Sequence, residues 1–212
     1  MKKILLRTLL SSLFYITFTF GASFTVLANV GTASLNAFSL AVSDITSIKV
    51  GSLLAGINIG FALIYAFMTK FKHLLLGLIQ IIAFLVFGVA LNFLLYDVFK
   101  DVTFSHYIQR ILLLILGIFI AGTSIGVVTV LRIITFPVET VCHQLEIFGF
   151  ISFMKARYLI DVIFITLAII IPLIFGEAMY IREGTLLTMI IFSYVMNGSK
   201  VFTEKYLVPK LF

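Results

Sequence analysis

The segment "RIITFPVETVCHQLEIFGF", Arg132 to Phe150, breaks an otherwise apolar chain, and its reading decides the fold. Arg132, Glu139, His143, Gln144 and Glu146 lie within it, while long runs of Ile, Leu, Val and Phe flank it on both sides. Pro137 suits the first turn of a helix, where its missing N–H leaves no bond unmade, and Thr135 stands where a cap would. From Pro137 onward Val138, Val141, Cys142 and Leu145 share one face, and Glu139, His143 and Glu146 share another. The spacing predicts an amphipathic helix of about three turns. That is too short to cross a bilayer, which takes roughly 20 residues of helix. Two readings remain open for it. It lies in the interface with its polar face in water, or it is re-entrant and its polar face lines a cavity.

The rest of the chain says which solvent it lives in. The 212 residues are 62% hydrophobic and 11% charged, with a mean hydropathy of +1.22. A soluble domain carries roughly 25% charged residues, so this chain could not cover a water-facing surface. It reads as an all-α, polytopic transmembrane bundle forming a single membrane domain over 1–212. Cys142 is the only cysteine, which excludes an intrachain disulfide and a Cys-based zinc site. The net charge of +6 reports topology rather than a nucleic-acid partner, because no basic stripe with interleaved aromatics sits on a polar domain. The start, "MKKILLRTLLSSLFYITFTFGASFTVLA", resembles a secretory signal with Ala28 at the cleavage position. The chain beyond Ala28 is equally apolar, so this start is read as an uncleaved first span.

Six runs are long enough to span: about 8–28, 50–69, 74–97, 109–131, 157–176 and 184–202. The sixth is the most diluted, by "SYVMNGSK". With the N-terminus inside, 11 of the 15 Lys and Arg residues fall on the cytoplasmic side and 4 outside. A five-span arrangement would divide them 8 to 7. The positive-inside rule therefore favours six spans with both ends in the cytoplasm.

The order of segments occurs twice: long span, interrupted segment, span, span. "VLANVGTASLNAFSL" (26–40) aligns with "TVLRIITFPVETVCH" (129–143) at an offset of 103 residues. Thr32 then matches Thr135, Ser34 matches Pro137, Asn36 matches Glu139, and Asn58 matches Asp161. The repeats cover about 8–97 and 109–207. Three spans per half is an odd number, so the halves are expected to be inverted. The two interrupted segments would then enter from opposite faces, as in transporters whose sites lie at a repeat interface.

On these residues the chain resembles the YczE/YyaS/YitT group of bacterial integral membrane proteins. Each half of that family carries a Gly-containing span, a small-residue turn, Pro-x-acid opening a short helix, and later a Gly-x-Ser turn into the next span. The second copy here reads "TFPVET", with Pro137 and Glu139, then "FGFISFMKARYLID", with Gly149, Ser152, Lys155, Arg157 and Asp161. The first reads "NVGTASLNAF", with Gly31, Thr32 and Asn36, then "ITSIKVGSLLAGIN", with Gly51 and Asn58. The match covers about residues 10–205. It departs where Ser34 replaces the usual Pro, Asn36 the usual acid, and Glu139 the more frequent Asp. The resemblance implies a bacterial membrane protein and carries no fixed substrate.

The candidate pathway residues are Asn36, Asn58, Glu139, His143 and Asp161, with Arg132 and Arg157 balancing charge. Asp161 is expected about one turn into the fifth span, with Arg157 four residues before it on the same face. An ionisable group at membrane depth needs a partner or water, so it is either a structural ion pair or a functional one. Asn58, Gln80 and Asn92 suit helix–helix hydrogen bonds. Gly21, Gly122 and Gly126, with Ala22, Ala121, Ser23 and Ser124, form small-residue patches for close packing. Pro172 is expected to kink the fifth span. His73, His106 and His143 lack metal-ligand spacing, so no metal and no cofactor are expected. No Ser-His-Asp set, Walker loop, GxGxxG or HExxH occurs, and the chain is not expected to be an enzyme. The leading expectation is a cytoplasmic-membrane permease for a small molecule. The alternative is a non-transporting scaffold or accessory subunit. Expected partners are the lipid bilayer, a small-molecule substrate, and a second copy or a partner subunit; nucleic acid is not one.

Overall fold

The structure, a computed structural model, describes residues 2–72, 74–131, 136–207 and 209. Arg132, Thr135 and His73, and with them the charge-balancing role expected of Arg132 and the capping role of Thr135, lie outside the described residues. The described residues form eight α-helices: α1 (Lys2–Leu27), α2 (Ser34–Thr46), α3 (Val50–Met68), α4 (Leu74–Phe93), α5 (Tyr107–Leu131), α6 (Pro137–Ile147), α7 (Phe153–Phe175) and α8 (Glu183–Phe202). π-helical turns extend α4 over Leu94–Val98 and α8 over Thr203–Leu207. Six helices are long and apolar enough to cross a membrane, and α2 and α6 are the two that are not. The expected spans match these six closely, because both the bilayer and the periodic pattern act on windows of one helix's length.

Local chemistry fixes the ends that matter for the site. Phe136 is extended and Pro137 opens α6. Gly149, at φ 75°, closes the turn after it, with the Gly149 and Phe150 N–H groups donating to Glu146 and Leu145. α7 starts earlier than expected, at Phe153 rather than near 157. Ser152 precedes it in extended conformation, and Glu146 Oε1 accepts the Phe153 N–H at 3.1 Å. The early start sets Asp161 about two turns into the helix instead of one. Pro172 is buried in the last turn of α7, and its carbonyl accepts the Gly176 and Glu177 N–H groups where the helix stops.

The chain divides into two compact units that interleave in sequence. The first takes residues 1–33, 93–134 and 182–212, and the second takes 34–92 and 135–181. In the first unit α5 packs between α1 and α8. A Cβ on Gly21 would lie 2.5 Å from the Ala121 backbone nitrogen, and one on Gly117 would lie 2.8 Å from the Gly21 carbonyl. One on Gly126 would come within 2.6 Å of Ser199 Cβ. These close approaches carry out the packing expected of Gly21 and Gly126; Gly117 joins them. Ala28, Val30, Leu114 and Ile118 fill one end of this unit, and Val127 and Leu131 pack with Leu10, Phe14 and Leu207 at the other.

In the second unit α2 packs on α7 and α3, and α6 packs on α3 and α7. Its core joins Val138, Cys142 and Ala156 to Leu35, Phe61 and Ile160. Phe164 touches Phe38 on one side, at 5.1 Å between ring centroids, and Phe61 on the other, at 6.1 Å. α3 and α4 meet where a Cβ on Gly51 would strike the Gly88 carbonyl. Asn92 Oδ1 accepts the Gly51 N–H at 2.8 Å, and its amide donates to Ser52 Oγ at 3.0 Å.

Candidate functional site

Within the second unit, both short helices begin part-way along a long one. Ser34, the first residue of α2, donates from Oγ to Asp161 Oδ1 of α7 at 2.5 Å. Further along α2, Phe38 meets Phe164, and Asp44 accepts from the Tyr180 hydroxyl at 2.7 Å, beyond the end of α7. α2 therefore runs beside α7 in the same direction, starting about 12 Å from the first residue of α7. At the start of α6, Phe136 stacks edge-on against Phe84 of α4, with centroids 5.9 Å apart. One turn on, Thr140 Oγ1 accepts from Gln80 Nε2 at 3.4 Å. α6 runs back along α4, starting about 15 Å from that helix's first residue.

The charged groups gather where these starts meet α7. Arg157 Nη1 lies 3.3 Å from Asp161 Oδ1, and Arg157 Nε lies 3.9 Å from Glu139 Oε1 of α6. Asp161 is the most enclosed of the three, with a side chain 16% exposed, against 30% for Arg157 and 33% for Glu139. Each helix N-terminus behaves as about half a positive charge. Asp161 faces the first residue of α2, and Glu139 sits in the first turn of α6. Arg157 and two helix starts thus lie beside two carboxylates.

Three of the expected residues, Glu139, Arg157 and Asp161, come together in this cluster. Two of the other described candidates, His143 and Asn58, do not. His143 is exposed, with Nδ1 3.5 Å from Glu146 Oε2. Asn58 is buried and donates to the Leu54 carbonyl of its own helix at 2.9 Å. Asn36 is half-buried on α2. Among the described residues no group of three or more His, Cys, Asp or Glu side chains comes close enough to hold a metal ion.

Ser34, Thr140 and Gln80 are the polar members that sequence reading did not place in the site. Ser34 carried one signal: it aligns with Pro137, the first residue of the matching short helix.

The match to the family described as "Family of unknown function (DUF6198)" extends over residues 5–200. The chain belongs to the DUF6198 family. No curated protein and no solved structure matches it. In this DUF6198 member the matched region takes in all of α2, α6 and α7, and with them the Ser34–Asp161–Arg157–Glu139 cluster.

Proposed function

We propose that this chain is a permease-like carrier of a small solute in a bacterial cytoplasmic membrane, with both termini in the cytoplasm. The observation that carries this reading is the Arg157–Asp161–Glu139 group, shared by α7 and the first turn of α6 where two short helices begin. Broken helices with ends at membrane depth and ionisable groups beside them mark solute and ion pathways. In this reading the fold is two inverted three-span repeats, with α2 and α6 re-entrant from opposite faces. Several features support it. The interval from Ser34 to Pro137 equals that from Val50 to Phe153, 103 residues, so α2 and α6, and α3 and α7, start in register. The packing is exchanged: α2 of the first half lies on α7 of the second, and α6 of the second on α3 of the first. Phe61 and Phe164, equivalent at the same interval, touch each other, as residues beside a two-fold axis must. The resemblance to the YczE/YyaS/YitT group is consistent with a bacterial origin, and the distribution of Lys and Arg with the orientation.

The test is flux. Purified chain in liposomes should move at least one solute from a broad panel of amino acids, organic acids, sugars, nucleobases and inorganic ions. Glu139→Gln and Asp161→Asn should each lower that flux at least tenfold while the protein stays monodisperse. A chain that moves nothing, with both variants leaving the cellular phenotype of a deletion fully complemented, rejects the carrier.

A second reading, an accessory subunit docking through α6, draws on the exposed His143, Glu146, Phe148 and Phe150. It expects Glu139→Cys, His143→Cys and Glu146→Cys all to be labelled from the cytoplasm. The carrier expects Glu139→Cys alone to be protected.

A further inference from the structure

α7 and α8 are the least covered of the six long helices, each with 11% of its most apolar window buried. They expose different chemistry. The open face of α7 carries Leu159, Val162, Ile163, Leu167 and Ile170, and its exposed Thr166 donates to the Val162 carbonyl of its own helix at 2.7 Å. Hydrocarbon satisfies such a face. The open face of α8 starts alike, with Leu186 and Ile190, but continues through Tyr194, Asn197 and Gly198. Ser193 is satisfied by the Met189 carbonyl at 3.0 Å. The Asn197 amide and the Tyr194 hydroxyl have no hydrogen-bond partner among the described residues. Asn197 lies about 21 Å along α8 from its first residue, within the span that runs to about residue 202 and one turn before the exposed Lys200. An amide left open to lipid there is strongly unfavourable.

We infer that this face of α8 is the interface between two copies of the chain. An amide is both donor and acceptor, so Asn197 can pair with its own two-fold mate. Gly198 stands beside it with nothing within 4 Å of where a Cβ would lie, leaving room for a second backbone. Toward the end of the same exposed face, Glu204 and Lys205 are adjacent and opposite in charge. A second copy related by a two-fold axis along the membrane normal brings the mate's Glu204 and Lys205 to the same level, where each carboxylate is within one residue's rise of the mate's ammonium. The opposite face of α8, with Gly184, Thr185 and Thr188 buried, is already occupied within its own unit. A second copy thus supplies the missing hydrogen-bond partners from residues this chain itself carries.

The experiment is association in lipid. The full-length chain, labelled with donor and acceptor dyes, is diluted in phosphatidylethanolamine/phosphatidylglycerol vesicles, and energy transfer is followed against the protein-to-lipid ratio. A saturable dimer is expected. Asn197→Leu and Gly198→Leu should each weaken it about three- to thirtyfold, while Asn197→Gln and Ile163→Leu leave it within about twofold. Leucine at these exposed positions faces outward, so folding is not at stake. In membranes, Gly198→Cys should form a disulfide-linked dimer under mild oxidation and Ile163→Cys should not; Cys142 is fully buried and does not compete. A chain that stays monomeric at every density, a dimer indifferent to both leucine variants, or equal cross-linking from the α7 position each overturns the inference.

Discussion

In the unit built from α1, α5 and α8, helices meet backbone against backbone. In the unit built from α2, α3, α4, α6 and α7, the contacts that set the site are between polar side chains. Gly21 and Gly117 let α1 close onto α5 almost backbone to backbone, and Gly126 lets Ser199 of α8 lie against α5. Packing of this kind suits lipid, where apolar helices gain nothing simply by leaving the solvent and must interlock instead. The second unit uses the same device once, at Gly51 and Gly88. Its distinctive feature is the Ser34–Asp161–Arg157–Glu139 cluster, which ties two short helices to α7. One unit is fixed by shape and the other by charge, so different substitutions should break each.

The largest effect is expected in the first unit. Gly21→Leu drives a side chain into the Ala121 backbone, where neither helix can give way, and should destabilise by about 3 kcal/mol. Loss of the folded, monodisperse species on heating in detergent measures it; a variant that unfolds like the parent would mean that α1 and α5 do not meet there. Next comes the cluster. Arg157→Leu strands two carboxylates and should cost about 2 kcal/mol, less than a fully buried pair because the group is partly exposed. The double variant Arg157→Leu/Asp161→Leu should recover part of that loss. Thermal unfolding of the two singles and the double gives the coupling, and strict additivity would dissolve the cluster into unrelated charges. Ser34→Ala removes one hydrogen bond to a carboxylate and should cost about 1 kcal/mol, read in the same assay. It should also raise hydrogen exchange in the first turn of α2 more than at its end. The smallest effect runs the other way. Gly56 has open space around it, so Gly56→Ala should stabilise α3 by about 0.5 kcal/mol.

Much of this arrangement was readable in advance. The two faces of α6, its start at Pro137 and its shortness come from local spacing. So does the Arg157–Asp161 pair, which sits on adjacent turns of one helix. Other parts were not. No local spacing links Glu139 to Arg157, which reaches it only because α6 packs on α7. Ser34 meets Asp161 across 127 residues of sequence. Gly117 carries no local mark, since one glycine in a leucine-rich run looks like any other small residue until a neighbouring backbone lies against it.

Sequence alone determined the class of solvent, the six long apolar helices, the two short ones, and the positions at which the short ones start. It could do so because a bilayer imposes length and hydropathy on each helix separately, and a single window registers both. Only the tertiary structure decided that α2 and α6 both lie on α3 and α7, that one guanidinium serves two carboxylates, and that Asn197 faces outward. Those outcomes depend on which helix surfaces interlock, a property of pairs of segments far apart in the chain that no local pattern encodes.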